Sequence, residues 1–132
     1  MNYLLDTHVL VWAITQSEKL PLRIKELLKD PTNKVFVSSI SFWEISLKFG
    51  LGKLELQGVL PEELPGLALK SGFEIKPLLP DECADYHLLQ ASYHRDPFDR
   101  MLVWQAIKHN YTLISKDANI ALYVSEGLSI LW

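Results

Sequence analysis

Hydrophobic positions along the chain alternate between short aliphatic runs of about four residues and longer stretches with helical spacing. The short runs predict strands over Asn2–Leu5, Lys34–Val37, Phe73–Ile75, Thr112–Ser115 and Leu128–Leu131. The stretches between them predict helices over Val9–Thr15, Pro21–Lys29, Ile40–Phe49, Glu62–Ser71, Asp81–Gln90 and Pro97–Asn110, with a short helical turn near Asp117–Leu122. Pro31, Gly50, Gly52 and Gly72 stand where helices should stop, and Pro97 where one should start. Strands joined by helical crossovers imply a mainly parallel five-stranded sheet covered on both faces, a three-layer α/β/α fold. The stretch Gly50 to Pro65 is interrupted by Gly58 and Pro61 and receives no regular element; it reads as a flap or a partner-binding arm.

With 132 residues, 48% of them hydrophobic, the chain suits one domain spanning 1–132 and carries no repeat or low-complexity segment. The 13 basic and 16 acidic side chains leave a net charge of −3, so no global positive field holds a polyanion. A phosphate-bearing ligand must be attracted locally. Cys83 stands alone, which excludes an intrachain disulfide and argues against a zinc site. The apolar N-terminus carries Asp6 and His8 and lacks a basic flank, unlike a signal peptide or a membrane anchor, so a soluble cytoplasmic protein is expected.

In parallel α/β sheets the reacting groups gather beyond the carboxyl ends of the strands. Asp6 directly follows the first strand, Asp117 lies just past the fourth, and Glu44 is about one turn into the helix leaving the second. The helix from Pro97 runs back toward the fourth strand, which brings Asp99, with Asp96 before it, to the same edge. All of them but Asp99 also have a structural reading: Asp6, Asp96 and Asp117 as helix caps, and Glu44 as the i,i+4 partner of Lys48. Their conjunction is costly, because clustered carboxylates repel and raise one another's pKa. A hard cation, Mg²⁺ or Mn²⁺, relieves that repulsion with oxygen ligands and points to metal-assisted phosphodiester hydrolysis. Arg95, Arg100, Lys48 and Lys116 lie beside these acids and read either as phosphate contacts or as an ion-pair rim such as Asp96 with Arg100. His8 and His94 fall near the edge as structural or rim residues, and Trp12, Trp43 and Trp104 read as core packing.

The segments DTHVLVW around Asp6, SSISFWEISLK around Glu44, HRDPFDRMLVWQA around Asp99 and LISKD around Asp117 resemble, in order, the four acidic motifs of PIN-domain ribonucleases, in particular VapC-type toxins of bacterial toxin–antitoxin modules. The resemblance implies a PIN-like fold, a Mg²⁺- or Mn²⁺-dependent endoribonuclease, and Asp6, Glu44, Asp99 and Asp117 as its metal-binding and catalytic acids. It further implies Ser115 as the small hydroxyl residue preceding the last acid, an RNA substrate, a homodimer, and a VapB-type antitoxin whose peptide occupies the cleft. Asn119 stands where some members carry another acid. A receiver domain is excluded because Asp6 has no acidic neighbour and GFEIKPLLP holds no Asp, and a haloacid-dehalogenase-type phosphatase because DTH lacks a second Asp. The alternative is a catalytically inert PIN-like interaction module.

Overall fold

The computed structural model describes residues 1–132. Five strands form one sheet: β1 (Asn2–Leu5), β2 (Lys34–Ser38), β3 (Glu74–Lys76), β4 (Thr112–Ile114) and β5 (Ser129–Leu131). Every pairing is parallel and the order is β3-β2-β1-β4-β5, with Leu4 in register with Phe36 on one side and Leu113 on the other. Seven helices connect them: α1 (Thr7–Thr15), α2 (Leu22–Lys29), α3 (Ser39–Gly50), α4 (Leu64–Lys70), α5 (Pro80–Asp85), α6 (Pro97–His109) and α7 (Ala118–Ala121).

The layering follows from the two-residue period of a strand. Tyr3 and Leu5 join one apolar cluster with Val9, Leu10, Ile24, Ile45 and Leu64, so α1 to α4 cover that face. Leu4, pointing the other way, joins Leu102, Val103, Ala106, Ile120 and Tyr123 from α6 onward. Adjacent residues of β4 divide in the same manner, Leu113 to the second cluster and Ile114 to the first. Helices cover both faces of the sheet, which is why the central strands β1 and β4 read as apolar runs.

The chain leaves β1 toward β2 and β3, then returns to β4 and β5 on the opposite flank. Strand order therefore reverses between β1 and β4, and the connections diverge there to open a crevice at the carboxyl edge.

One expected helix is shorter than its sequence suggests. The helix expected over Asp81–Gln90 ends at Asp85, passes through a 3-10 turn at Tyr86–Leu88, and gives way to an irregular loop. Tertiary bonds replace helical ones there: Arg100 donates to the carbonyls of Leu89 and Ala91, and the Ala91 N–H donates to Glu126 at 2.8 Å. Within Gly50 to Pro65 the chain stays largely irregular until a 3-10 turn at Pro61–Glu63, whose Glu63 carboxylate accepts the Leu60 N–H at 2.7 Å. Helix α5 is fixed by a buried polar knot: Glu82 accepts Lys76 at 2.5 Å and Gln105 at 2.8 Å and meets His109 at 2.6 Å. Burial works against the Glu82 charge, but these bonds prevail and bring its pKa down to about 2.

Candidate active site

Asp6 is set in place by the sheet itself, its N–H donating to the Ile114 carbonyl at 3.0 Å as β1 ends. It occupies the N-cap position of α1, yet its side chain makes no capping bond. The carboxylate is only 3% exposed, accepts the Ser115 hydroxyl through Oδ2 at 2.6 Å, and keeps Oδ1 buried without any partner. Burial pushes its pKa up and nearby Glu44 adds to that, against the opposing Ser115 bond and His8. Ser115 Oγ in turn accepts the Asp117 N–H at 3.1 Å, so one hydroxyl links the segments carrying both acids.

Glu44 arrives from the other side. Ser38 caps α3 by accepting the Ile40 N–H at 3.2 Å, and the Thr7 hydroxyl donates to Ser41 at 3.0 Å, which locks the start of α3 to the start of α1. Further along the helix, Glu44 is 2% exposed; Lys48 pairs with Oε2, and Oε1 is buried without a partner. Burial disfavours the Lys48 ammonium, but Glu44, with Asp96 and Asp99 beyond it, more than offsets this and raises its pKa.

Asp96 and Asp99 divide the labour at the start of α6. Asp96 is the N-cap, its Oδ1 accepting the N–H groups of Phe98 at 2.9 Å and Asp99 at 3.1 Å ahead of Pro97. Asp99 makes no such bond, and its pKa is pushed up to about 8 by burial first and then by Asp6, Asp96, Glu44 and Asp117. Glu44, Asp96 and Asp99 each offer a carboxylate oxygen within 4.8 Å of the others. Asp117 caps α7 by accepting the Asn119 N–H at 2.7 Å. Asp96→Ala is expected to lose about 0.5–2 kcal/mol of stability as a lost cap, measured by urea unfolding. Wild-type stability in that variant would show that the Asp96 carboxylate does no capping.

The basic residues sort differently from the sequence reading. The Arg100 side chain reaches neither the cleft nor the Asp96 carboxylate. It is buried, donating through Nε to the Tyr86 hydroxyl at 2.8 Å, through Nη1 to Ala91 O and the Tyr123 hydroxyl, and through Nη2 to Leu89 O. Both readings of Arg100, phosphate contact and ion-pair rim, are corrected: one residue beyond Asp99 lies about a quarter turn around the helix, on the side that faces the second core. Arg95 is exposed before α6. Lys116 borders a cavity of about 360 Å³ lined also by Asp6, His8, Val9, Trp12 and Asp117. Its ammonium, and that of Lys19, stand 5.5 and 5.8 Å from the Trp12 ring centre. Trp43 is not core; it is 61% exposed with Phe98 edge-on at 5.4 Å. Neither Lys19 nor the Thr7–Ser41 bond was legible in the motifs, because both depend on α1 packing beside its neighbours.

Known proteins share this fold. A family model described as PIN domain matches residues 3–124. The chain is 25% identical over 117 residues to Ribonuclease VapC22 of Mycobacterium tuberculosis, covering 89% of this chain and 88% of that one. Among solved structures, VapBC2 from Rickettsia felis bound to a promoter DNA fragment superposes with a TM-score of 0.67 at 22% identity, covering 99% of this chain and 98% of that one. DNA-bound VapBC from Salmonella typhimurium gives 0.69 at 17% identity, with 99% and 97% covered.

Proposed function

The chain belongs to the PIN-domain family, and from that premise we propose that it is a divalent-metal-dependent endoribonuclease, the toxin of a type II toxin–antitoxin pair, acting as one nuclease domain in the cytoplasm. The observation that carries the reading is the state of the acids. Asp6, Glu44, Asp96 and Asp117 all act on the Asp99 charge, and Asp6 Oδ1 and Glu44 Oε1 are buried without a hydrogen-bond partner. Buried acceptors left unpaired are costly, and a cation is the partner that suits them. The donor set is oxygen only, which fits Mg²⁺ or Mn²⁺ rather than zinc.

Asp6 and Asp99 would hold the cation, with Glu44 and Asp117 completing the site directly or through water. Bound there, the cation supplies Lewis acidity toward a phosphate oxygen and toward the attacking water. The rest is the chain's own work. Ser115 fixes the Asp6 carboxylate by donating to Oδ2. Lys48 holds Glu44 in one orientation. Lys116, which borders the cleft, and Arg95, exposed just before α6, would serve as phosphate contacts, a local attraction that the net charge of −3 does not provide. For the partner, α3 and the segment after it expose Trp43 and Leu51 at 61% each and Leu60 at 51%, an apolar face suited to a VapB-type antitoxin and to a second copy of the chain in a homodimer.

Purified protein is expected to cleave RNA with Mg²⁺ or Mn²⁺ and to stop in EDTA. Undiminished cleavage in EDTA overturns the metal mechanism. A folded chain that binds Mn²⁺ and cleaves no RNA, tRNA and ribosomal RNA included, is the inert interaction module instead.

A further inference from the structure

Behind Asp99 runs a buried polar chain that the acid chemistry does not use. His94, in the loop entering α6, presents Nε2 to Asp99 Oδ2 at 3.5 Å and Nδ1 to the Tyr123 hydroxyl at 3.1 Å. The imidazole is 13% exposed and packs on the Tyr123 ring, and Nε2 is buried without a hydrogen-bond partner. Tyr123 is fully buried, and its hydroxyl also meets Arg100 Nη1 at 2.7 Å. The loop is anchored outside the site, by Arg100 on the carbonyls of Leu89 and Ala91, by Glu126 on the Ala91 N–H, and by Tyr93 on Ser125 at 2.6 Å.

Counting donors assigns the protons. A guanidinium has no acceptor, so Arg100 donates to the Tyr123 oxygen. The tyrosine hydrogen then has one acceptor within reach, His94 Nδ1. A neutral imidazole that accepts at Nδ1 carries its hydrogen at Nε2, and that N–H faces Asp99.

We propose that His94 is a positioning residue for Asp99, its tautomer fixed by Arg100 through Tyr123, so that its Nε2–H restrains Oδ2 and presents the carboxylate to a cation in one orientation. A spacing of 3.5 Å is long for a hydrogen bond, but such contacts in free enzymes commonly tighten when the site is loaded. The inverse arrangement, a carboxylate orienting a metal-bound histidine, is a familiar way of tuning ligands from behind. The proposal also gives Arg100 a task at the site although it never reaches the cleft. Its metal-binding part rests on the reading that Asp99 is a cation ligand; the proton assignment does not.

Two measurements separate these parts. Nitrogen NMR of the metal-free protein at about pH 9, where Asp99 has released its proton, is expected to show the His94 hydrogen on Nε2, and Tyr123→Phe is expected to lose that preference. Calorimetric titration with Mn²⁺ is expected to show binding weakened about 10- to 100-fold in His94→Leu, with most of it restored in His94→Gln, whose amide N–H reaches toward the place of Nε2. Thermal melts establish that each variant is folded; if His94→Leu is not, Tyr123→Phe, which keeps the buried ring, replaces it in the titration with weakened binding expected. An imidazole protonated at Nδ1, or unchanged Mn²⁺ affinity in a folded variant, overturns the proposal. A wild-type chain that binds no Mn²⁺ overturns the metal reading itself, and the tautomer then decides the proton assignment alone.

Discussion

Asp6→Asn is expected to lower RNA cleavage about 1,000-fold or more while leaving the fold intact. The cation is worth several kcal/mol to a phosphoryl-transfer transition state, and each step of about 1.4 kcal/mol is tenfold in rate. Asp6 is the acid whose removal should cost most, because its Oδ1 has no structural duty: the side chain caps nothing, and its single bond is accepted from Ser115 by the other oxygen. An Asn carbonyl oxygen can still accept that hydroxyl, so α1 and β4 keep their connection. The variant also removes a charge that holds the Asp99 pKa high, and the metal-free melting temperature should not fall. Asp117→Asn makes the contrast, since Asp117 caps α7 and its loss divides between stability and rate. Cleavage by Asp6→Asn at the wild-type rate, measured in Mg²⁺ with a defined RNA, contradicts the site.

How much of this was legible follows from how local each signal is. The sheet was readable because four of its strands carry a short apolar run and β3 adjoins Phe73 and Ile75, and the edge acids were readable because strand ends and helix starts are marked by residue type. Loop 89–96 was not. The helical pattern runs on to Gln90, and the bonds from Arg100 and Glu126, distant in the chain, hold Leu89 and Ala91 in a loop instead. The strand boundaries shift by about one residue, as at β3, where Phe73 lies before Glu74–Lys76 and still packs in the core. Arg100 carries the clearest lesson. Beside Asp99 in the sequence it reads as a site residue, and the turn of about 100° per helical residue sends it into the interior. Asp6 shows the converse: its position is a cap position, and only the three-dimensional surroundings reveal that the carboxylate is left for other work.

The metal-free protein is expected to lose stability as pH rises from about 4 to 9, opposite to the common behaviour of carboxylates in ion pairs. Asp99 keeps its proton in the folded state up to about pH 8, whereas in the unfolded chain it releases it near 3.8. Between those values the folded state binds more protons, so unfolding becomes easier with each step in pH, and the loss is complete above about 8. Asp6, also raised, works in the same direction. Glu82 works oppositely but lower: its pKa of about 2 stabilises the fold above 4.5, and that contribution fades as pH falls through 4.5 toward 2. Stability in EDTA should therefore peak near about pH 4–5. A pKa raised from 3.8 to about 8 bounds the loss at about 6 kcal/mol, since each tenfold change in proton affinity is worth about 1.4 kcal/mol. Solvent screening of a side chain that is 17% exposed reduces this to about 2–3 kcal/mol. For a chain of this length that is roughly 10 °C in Tm. Mn²⁺ binds the ionised cluster and should remove most of the decline above about pH 7, because a ligand that prefers the folded state adds stability by mass action. Asp99→Asn should make the metal-free profile much shallower, leaving the part due to Asp6, and abolish the Mn²⁺ effect. Melting curves from about pH 4 to 9, with EDTA and with Mn²⁺, test both. A flat wild-type profile in EDTA, or an Asp99→Asn profile as steep as wild type, would show that these acids do not confront one another across the switch point.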